Sequence, residues 1–249
     1  MHIKVKNLSL TYSPATLENS FLRKNLIYKM FGKLKNKNSN NQLIHALKNI
    51  NFELKKGDRL GVIGKNGSGK STLIQCLSKI IFPNPGSSID VDGKYLPIIE
   101  PASLAEGVDT VKNNILLIGL LLGFKKKEII EKTNEILDFS EIKDYQNLSY
   151  NTLSTGMRLK LIFSIVFLLD SEIFLIDEFL TTGDERFRKK GFDFLKKNKI
   201  ENSITVLCSH DRNTIKEYCN KVIVLDNGDQ KYFGDIDLGF ELFDKLVKL

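Results

Sequence analysis

Eight consecutive residues, Gly64-Lys65-Asn66-Gly67-Ser68-Gly69-Lys70-Ser71, fit the pattern G-x-x-x-x-G-K-[ST]. That pattern reads as a phosphate cradle. The glycines let the backbone turn successive N–H groups inward, and a helix beginning at the loop's end adds its partial positive charge where phosphates would sit. Lys70 would reach the β- and γ-phosphates, and the Ser71 hydroxyl would coordinate Mg²⁺, with Thr72 completing the first helical turn. The flanks support this. Leu60 to Ile63 suits a buried strand, and Thr72, Leu73, Ile74, Cys76 and Leu77 suit a helix packed against it.

A second chemical group follows at Ile173-Phe174-Leu175-Ile176-Asp177-Glu178, an apolar strand ending in two carboxylates, as expected in the second half of a P-loop NTPase. Charges at the end of a buried strand are costly without a task. Asp177 would hold Mg²⁺ and Glu178 would polarise the attacking water as general base. Further on, Ser203 to Leu207 forms another apolar strand, placing Ser209-His210 at its carboxyl end. In an open α/β sheet ligands collect at that edge.

The elements that must position these groups can be followed along the chain. His2 to Tyr12 alternates apolar and polar residues, with Ile3, Val5, Leu8 and Leu10 apolar, as a first strand running into a turn at Tyr12-Ser13-Pro14. Ser20 to Leu34 has Leu22, Leu26, Met30 and Leu34 at helical spacing against a basic remainder; it suits an anionic membrane surface and a basic surface helix equally. A polar Lys35 to Gln42 loop closes that insertion, and Ile44 to Leu54 resumes strand character. Pro83 to Gly86 breaks the chain before a short strand from Ser88 to Val91. From about Pro101 to Phe167 the periodicity is mostly helical, clearest over Glu128 to Phe139. Val222 to Leu225 and Lys231 to Phe233 flank Asp226-Asn227-Gly228-Asp229 as a hairpin, and a last helix is expected from Ile236.

Length and composition set the limits. The 249 residues allow one large domain, and the net charge of +7 is local: Asn19 to Phe52 contains no acidic residue. Cys76, Cys208 and Cys219 show neither C-x-x-C spacing nor a pairing pattern, and no leader peptide is visible, which suggests a reducing compartment. The apolar runs Ile115 to Phe124 and Leu161 to Leu169 are about half of the ~20 residues that cross a bilayer. No membrane span is expected.

Leu153-Ser154-Thr155-Gly156-Met157-Arg158, between the helical block and the Asp177-Glu178 strand, resembles the signature loop of ABC ATPases, commonly L-S-G-G-Q. With Gly64 to Ser71, Asp177-Glu178, Gly183-Asp184 and Ser209-His210 in this order, the resemblance covers the whole chain. The segment from Phe174 to Phe187, the Met after Ser154-Thr155-Gly156, and Glu217-Tyr218-Cys219 are similar to the ATPases of capsular polysaccharide and O-antigen exporters, with teichoic-acid exporters as near relatives. Members of that group also carry an insertion between the first two strands, near the membrane and the entry of lipid-linked polymer.

The resemblance implies an α/β fold: a P-loop NTPase core with an antiparallel β subdomain and an inserted α-helical subdomain. The core would span about 1–99 and 168–249, the helical part about 100–167, and the basic insertion 20–42. It implies that Tyr12 stacks on adenine, that residues 64–72 bind phosphate, and that Ser71 and Asp177 hold Mg²⁺. Glu178 would be the catalytic base, Lys70 a catalytic cation and His210 the γ-phosphate sensor. Ser154 and Gly156 would contact ATP bound to a second copy of the chain, and Asp184 would signal across that interface. The expected protein is an ATP hydrolase peripheral to the cytoplasmic face of the plasma membrane, partnered by a multi-spanning permease and exporting a lipid-linked polysaccharide.

Two positions depart from the family pattern. Glu100 stands where a metal-contacting glutamine is usual, which leaves it as a variant metal ligand, and Thr155 and Met157 replace the second Gly and the Gln of the signature. The sequence stops soon after its last expected helix, so no carbohydrate-binding extension is expected. Alternative readings keep the cassette but change its cargo to lipid, peptide or drug, or make it a soluble ABC ATPase acting on nucleic acid or ribosomes. The latter usually carry two cassettes or a long coiled coil, and no nucleic-acid partner is expected here.

Overall fold

The computed structural model describes residues 1–12, 43–98, 109–177, 185–198 and 201–248. The expected 20–34 helix and 20–42 insertion, together with Glu100, Glu178, Gly183 and Asp184, lie outside the described residues. The chain divides into two compact units, Met1–Asp92 with Val206–Leu249, and Gly93–Thr205.

The first unit is built on a sheet. Strands β1 (His2–Tyr12), β2 (Ile44–Lys55), β3 (Arg59–Gly64) and β4 (Ser88–Asp92) come from its first part, and β8 (Lys221–Asp226) and β9 (Asp229–Gly234) from its second. The order is β4-β1-β2-β9-β8-β3, with β7 (Ile204–Cys208) next to β3. β1 is antiparallel to both β2 and β4, whereas β3 runs parallel to β8. The phase change within β1 has a local cause. Asn7 adopts φ 52° and the pairing with β2 shifts between Val5 and Leu8, so the buried set passes from Ile3 and Val5 to Leu8, Leu10 and Tyr12. A bulge resets which face meets the core. The β8–β9 hairpin turns on Asn227 at φ 50° and Gly228 at φ 83°, the paired positive values of a type I′ turn.

Helix α1 (Lys70–Leu77) follows β3, α6 (Arg212–Tyr218) follows β7 and α7 (Ile236–Val247) follows β9. Gly61 of β3 lets α6 approach: a Cβ there would lie 2.7 Å from Ile215 Cγ2. Gly239 does the same for α7 against Val222 of β8.

The second unit holds, among the described residues, the parallel pair β5 (Tyr95–Ile98) and β6 (Ile173–Ile176) and the α-helices α2 (Val111–Leu121), α3 (Lys126–Phe139), α4 (Thr155–Leu168) and α5 (Glu185–Asn198). Every residue of α4 from Leu161 to Leu168 is buried. Its neighbours are fixed by aromatic contacts: Phe139 lies 6.5 Å from Phe167 and 5.8 Å from Phe187, and Gly191 of α5 sits directly on the Phe167 ring. Glu141 accepts from Lys160 of α4 at 2.9 Å and pairs with Lys190 of α5 at 3.3 Å, joining both helices to the end of α3. Lys160 and Lys190 hold the Glu141 carboxyl below its ordinary range, Lys160 through the larger hydrogen-bond effect. Among the described residues no helix is long and apolar enough to cross a membrane.

Candidate functional site

In the first unit, β3 ends at Gly64 and α1 starts at Lys70, so the loop between them is the turn expected from sequence. Two of its glycines are required by crowding. A Cβ on Gly64 would lie 2.3 Å from both the Leu225 carbonyl oxygen and Ser68 Oγ. Gly69, at φ 105°, would bring a Cβ within 2.6 Å of the Ala46 carbonyl oxygen. The loop is therefore pressed against β2 and β8 through bare backbone, and Gly67 at its crest faces open space.

The Lys70 side chain is buried, and its ammonium donates to the Gly64 carbonyl at 3.0 Å and the Lys65 carbonyl at 3.1 Å. Among the described residues no side chain caps the N-terminus of α1, and its first turn has no acidic residue. The first amides of any helix lack partners within it, so this end carries positive potential. Ser68 Oγ and Thr72 Oγ1 are buried without a hydrogen-bond partner among the described residues. An uncapped helix start, a sequestered ammonium and orphaned hydroxyls fit a bound polyphosphate.

His210 belongs to the same unit, two residues beyond the end of β7, where Cys208 Sγ lies 3.8 Å from the Lys70 carbonyl oxygen. Desolvation, with the Lys70 charge second, holds the imidazole below its ordinary value. At neutral pH the ring is uncharged, able to donate from one nitrogen and accept at the other. Tyr12 closes β1 opposite Ile44 and is only 5% exposed. Cys76 and Cys219 are buried, free thiols whose pKa values burial pushes up to about 12; they are inert at this site.

The second unit carries the signature residues. Ser154 is the N-cap of α4, its hydroxyl accepting from the Met157 amide at 3.2 Å. Ser154, Thr155 and Gly156 are exposed, and a Cβ on Gly156 would meet nothing within 4 Å. Thr155 thus adds its bulk to an open surface. The loop entering α4 is anchored by Arg158, which donates to the Asn151 carbonyl at 3.0 Å and lies 5.0 Å over the Tyr150 ring. Asp177 follows directly after β6 and is 4% exposed, a carboxylate held at the buried end of a strand.

Two contributors to the phosphate loop carry no sequence signal. The Gly228 amide at the tip of the β8–β9 hairpin donates to the Ser68 carbonyl at 3.1 Å, so a turn more than 150 residues away supports the loop's crest. The Lys65 ammonium reaches the Leu246 carbonyl of α7 at 2.8 Å. Both are long-range contacts with no local pattern to mark them.

An uncapped helix behind a glycine loop, on an α/β sheet, with a separate serine-capped signature helix, defines a class. The profile of the ABC transporter family matches residues 47–181, and the chain belongs to that family. It is 34% identical over 226 residues to the teichoic acids export ATP-binding protein TagH of Bacillus anthracis, a match covering 90% of this chain and 41% of that protein. It is also 34% identical over 227 residues to the O-antigen export system ATP-binding protein RfbE of Yersinia enterocolitica, covering 90% of this chain and 93% of that one. The chain thus spans about two fifths of the first of these relatives and nearly all of the second. Among solved structures, a dimeric ATP-binding cassette in a post-hydrolysis state with ADP and Pi matches at TM-score 0.68 and 20% identity, over 94% of this chain and 98% of that one. The fold is that of an ABC ATPase.

Proposed function

We propose that this chain is the ATPase subunit of an ABC exporter that moves a lipid-linked polysaccharide, of capsule, O-antigen or teichoic acid type, across the cytoplasmic membrane. The observation that carries the nucleotide reading is the buried Lys70 ammonium held behind an uncapped α1 N-terminus. The names of the TagH and RfbE relatives support the cargo. The chain would lie peripherally on the cytoplasmic face of the plasma membrane, bound to a multi-spanning permease and paired with a second copy of itself. The dimeric cassette among its structural neighbours supports that pairing.

In this reading residues 64–72 receive the phosphates and Lys70 exchanges its carbonyl partners for phosphate oxygens. Tyr12 would stack on adenine once its ring, 5% exposed in this structure, is uncovered. Ser71 would supply a hydroxyl and Asp177 a carboxylate to Mg²⁺, which would neutralise phosphate charge. Glu100 is a further candidate ligand. Glu178 accepts the proton of the attacking water as the water oxygen bonds to the γ-phosphorus and the bond to the bridging β–γ oxygen breaks, releasing ADP and inorganic phosphate. His210, uncharged at neutral pH, hydrogen-bonds the γ-phosphate, and Ser154 and Gly156 present their exposed edge to ATP held by the partner. Asp184 relays occupancy across that interface.

The experiment is copurification of the chain with its permease, ATP turnover by the complex, and identification of the glycan lost when the gene is deleted. Glu178→Gln is expected to keep ATP binding and abolish turnover. Normal multiple turnover in that variant refutes the base assignment, and loss of a lipid, peptide or drug efflux with intact glycans refutes the cargo.

A further inference from the structure

The last turn of α7 touches both sides of the phosphate-binding apparatus. On one side, the Leu246 carbonyl accepts from the Lys65 ammonium at 2.8 Å. The final carbonyls of a helix have no partner within it and carry the negative end of its dipole, so a lysine is a suitable cap. The backbone carbonyl of the same Lys65 accepts from Lys70 at 3.1 Å. A path of direct contacts therefore runs from α7 through Lys65 to Lys70.

On the other side, Asp244 pairs with Arg212, two residues beyond His210. The Arg212 guanidinium also lies 4.6 Å over the ring of Phe240, which is 5% exposed and anchors α7 to its own unit. The residue between, Asp211, caps α6 by accepting from the Asn213 and Thr214 amides. Position 212 is thus fixed from α7, and with it the short segment leading back to His210. Exposed ion pairs contribute little to stability, so the significance of these contacts is geometric.

We propose that α7 is a positioning strap for the nucleotide site, its last turn setting the placement of the Lys65–Lys70 loop relative to the His210 segment through Leu246 and Asp244. The inference rests on the nucleotide reading above. Asp244 acts through Arg212 and the Lys65 side chain through Leu246: neither side chain needs to touch the reacting atoms. A second ion pair, Lys216 with Asp237 at 2.7 Å, joins α6 to the first turn of α7 and serves as an internal control, because it is remote from the last turn.

The test uses the full chain carrying Asp244→Asn, Asp244→Glu or Asp237→Asn, read by amide hydrogen exchange without nucleotide and by steady-state ATP turnover. Asp244→Asn is expected to speed exchange in peptides covering 64–70 and 209–213, and to lower kcat about fivefold while KM stays within about twofold. Asp244→Glu restores both readouts, and Asp237→Asn leaves both at the parent level. Parent-like exchange and kcat in Asp244→Asn, or an equal deficit in Asp237→Asn, overturns the strap. If the parent protein itself fails to hydrolyse ATP, the nucleotide reading falls, and the exchange measurements decide the strap alone.

Discussion

The ammonium of Lys70 folds back 3.0 Å from the carbonyl oxygen of Gly64, the residue that opens the loop Lys70 closes. The loop thereby holds a buried cation on its own carbonyls at the start of α1. The same charge reaches His210.

Lys70→Met is expected to weaken ADP or ATP binding by at least about tenfold, since a charge-assisted phosphate contact contributes more than about 1.4 kcal/mol. It should also raise the His210 pKa, because one of the two influences depressing it is removed while desolvation remains. His2, His45 and His210 are the three histidines of the chain, so the NMR titration is assignable. For stability the sign is definite. The native pKa of His210 lies below the unfolded one, so its contribution is present above the ordinary imidazole value and is lost as pH falls. An unmoved His210 titration in Lys70→Met contradicts the electrostatic link.

Glu141 is expected to matter for the stability of the helices that carry the signature loop. Its carboxyl is held low by Lys160 and Lys190, so its contribution is present above the ordinary glutamate range and disappears as pH drops through its lowered value. Because the side chain is half exposed, Glu141→Gln should cost no more than about 1 kcal/mol at neutral pH, and the difference from parent should vanish in acid. Thermal unfolding at pH 7 and pH 3 checks both parts. A constant difference across that range would place the effect elsewhere.

Gly64→Ala and Gly156→Ala should separate sharply. The first forces a methyl to within 2.3 Å of a backbone oxygen of β8, and overpacking of that kind costs roughly 1–3 kcal/mol. The loop must shift, so nucleotide affinity falls with stability. Gly156→Ala adds a methyl to open space and is expected to leave folding and single-chain nucleotide binding intact while reducing turnover in the dimer. Calorimetric melting with nucleotide titration distinguishes them; equal melting shifts would contradict the packing argument.

How much of this was legible beforehand depended on range. The strand–loop–helix around Gly64 to Ser71 is local, whereas the bulge at Asn7, where the pairing with β2 shifts, interrupts what the sequence shows as one alternating strand. The α/β class followed from such segments. β5 escaped notice because it is four residues long and contains Pro97, tolerable on a strand at the sheet's edge. α5 was hidden by its charges and by Gly191, a poor helix former that is needed where Phe167 packs. α6 is too short for periodicity to show. The Gly228 amide on Ser68 and the Lys65 ammonium on Leu246 join residues far apart in sequence, so no spacing rule could reveal them.

The central claim is that one ATP is held by two chains, the phosphate loop of one and the Ser154 edge of the other. ATP turnover by an equimolar mixture of Lys70→Ala and Ser154→Arg proteins tests it directly. Each variant alone should be inactive. Half the dimers in the mixture pair unlike chains, each with one of its two sites intact, so activity should return to about a quarter of the parent level. A mixture as inactive as its components, or a fully active Ser154→Arg protein, contradicts the account.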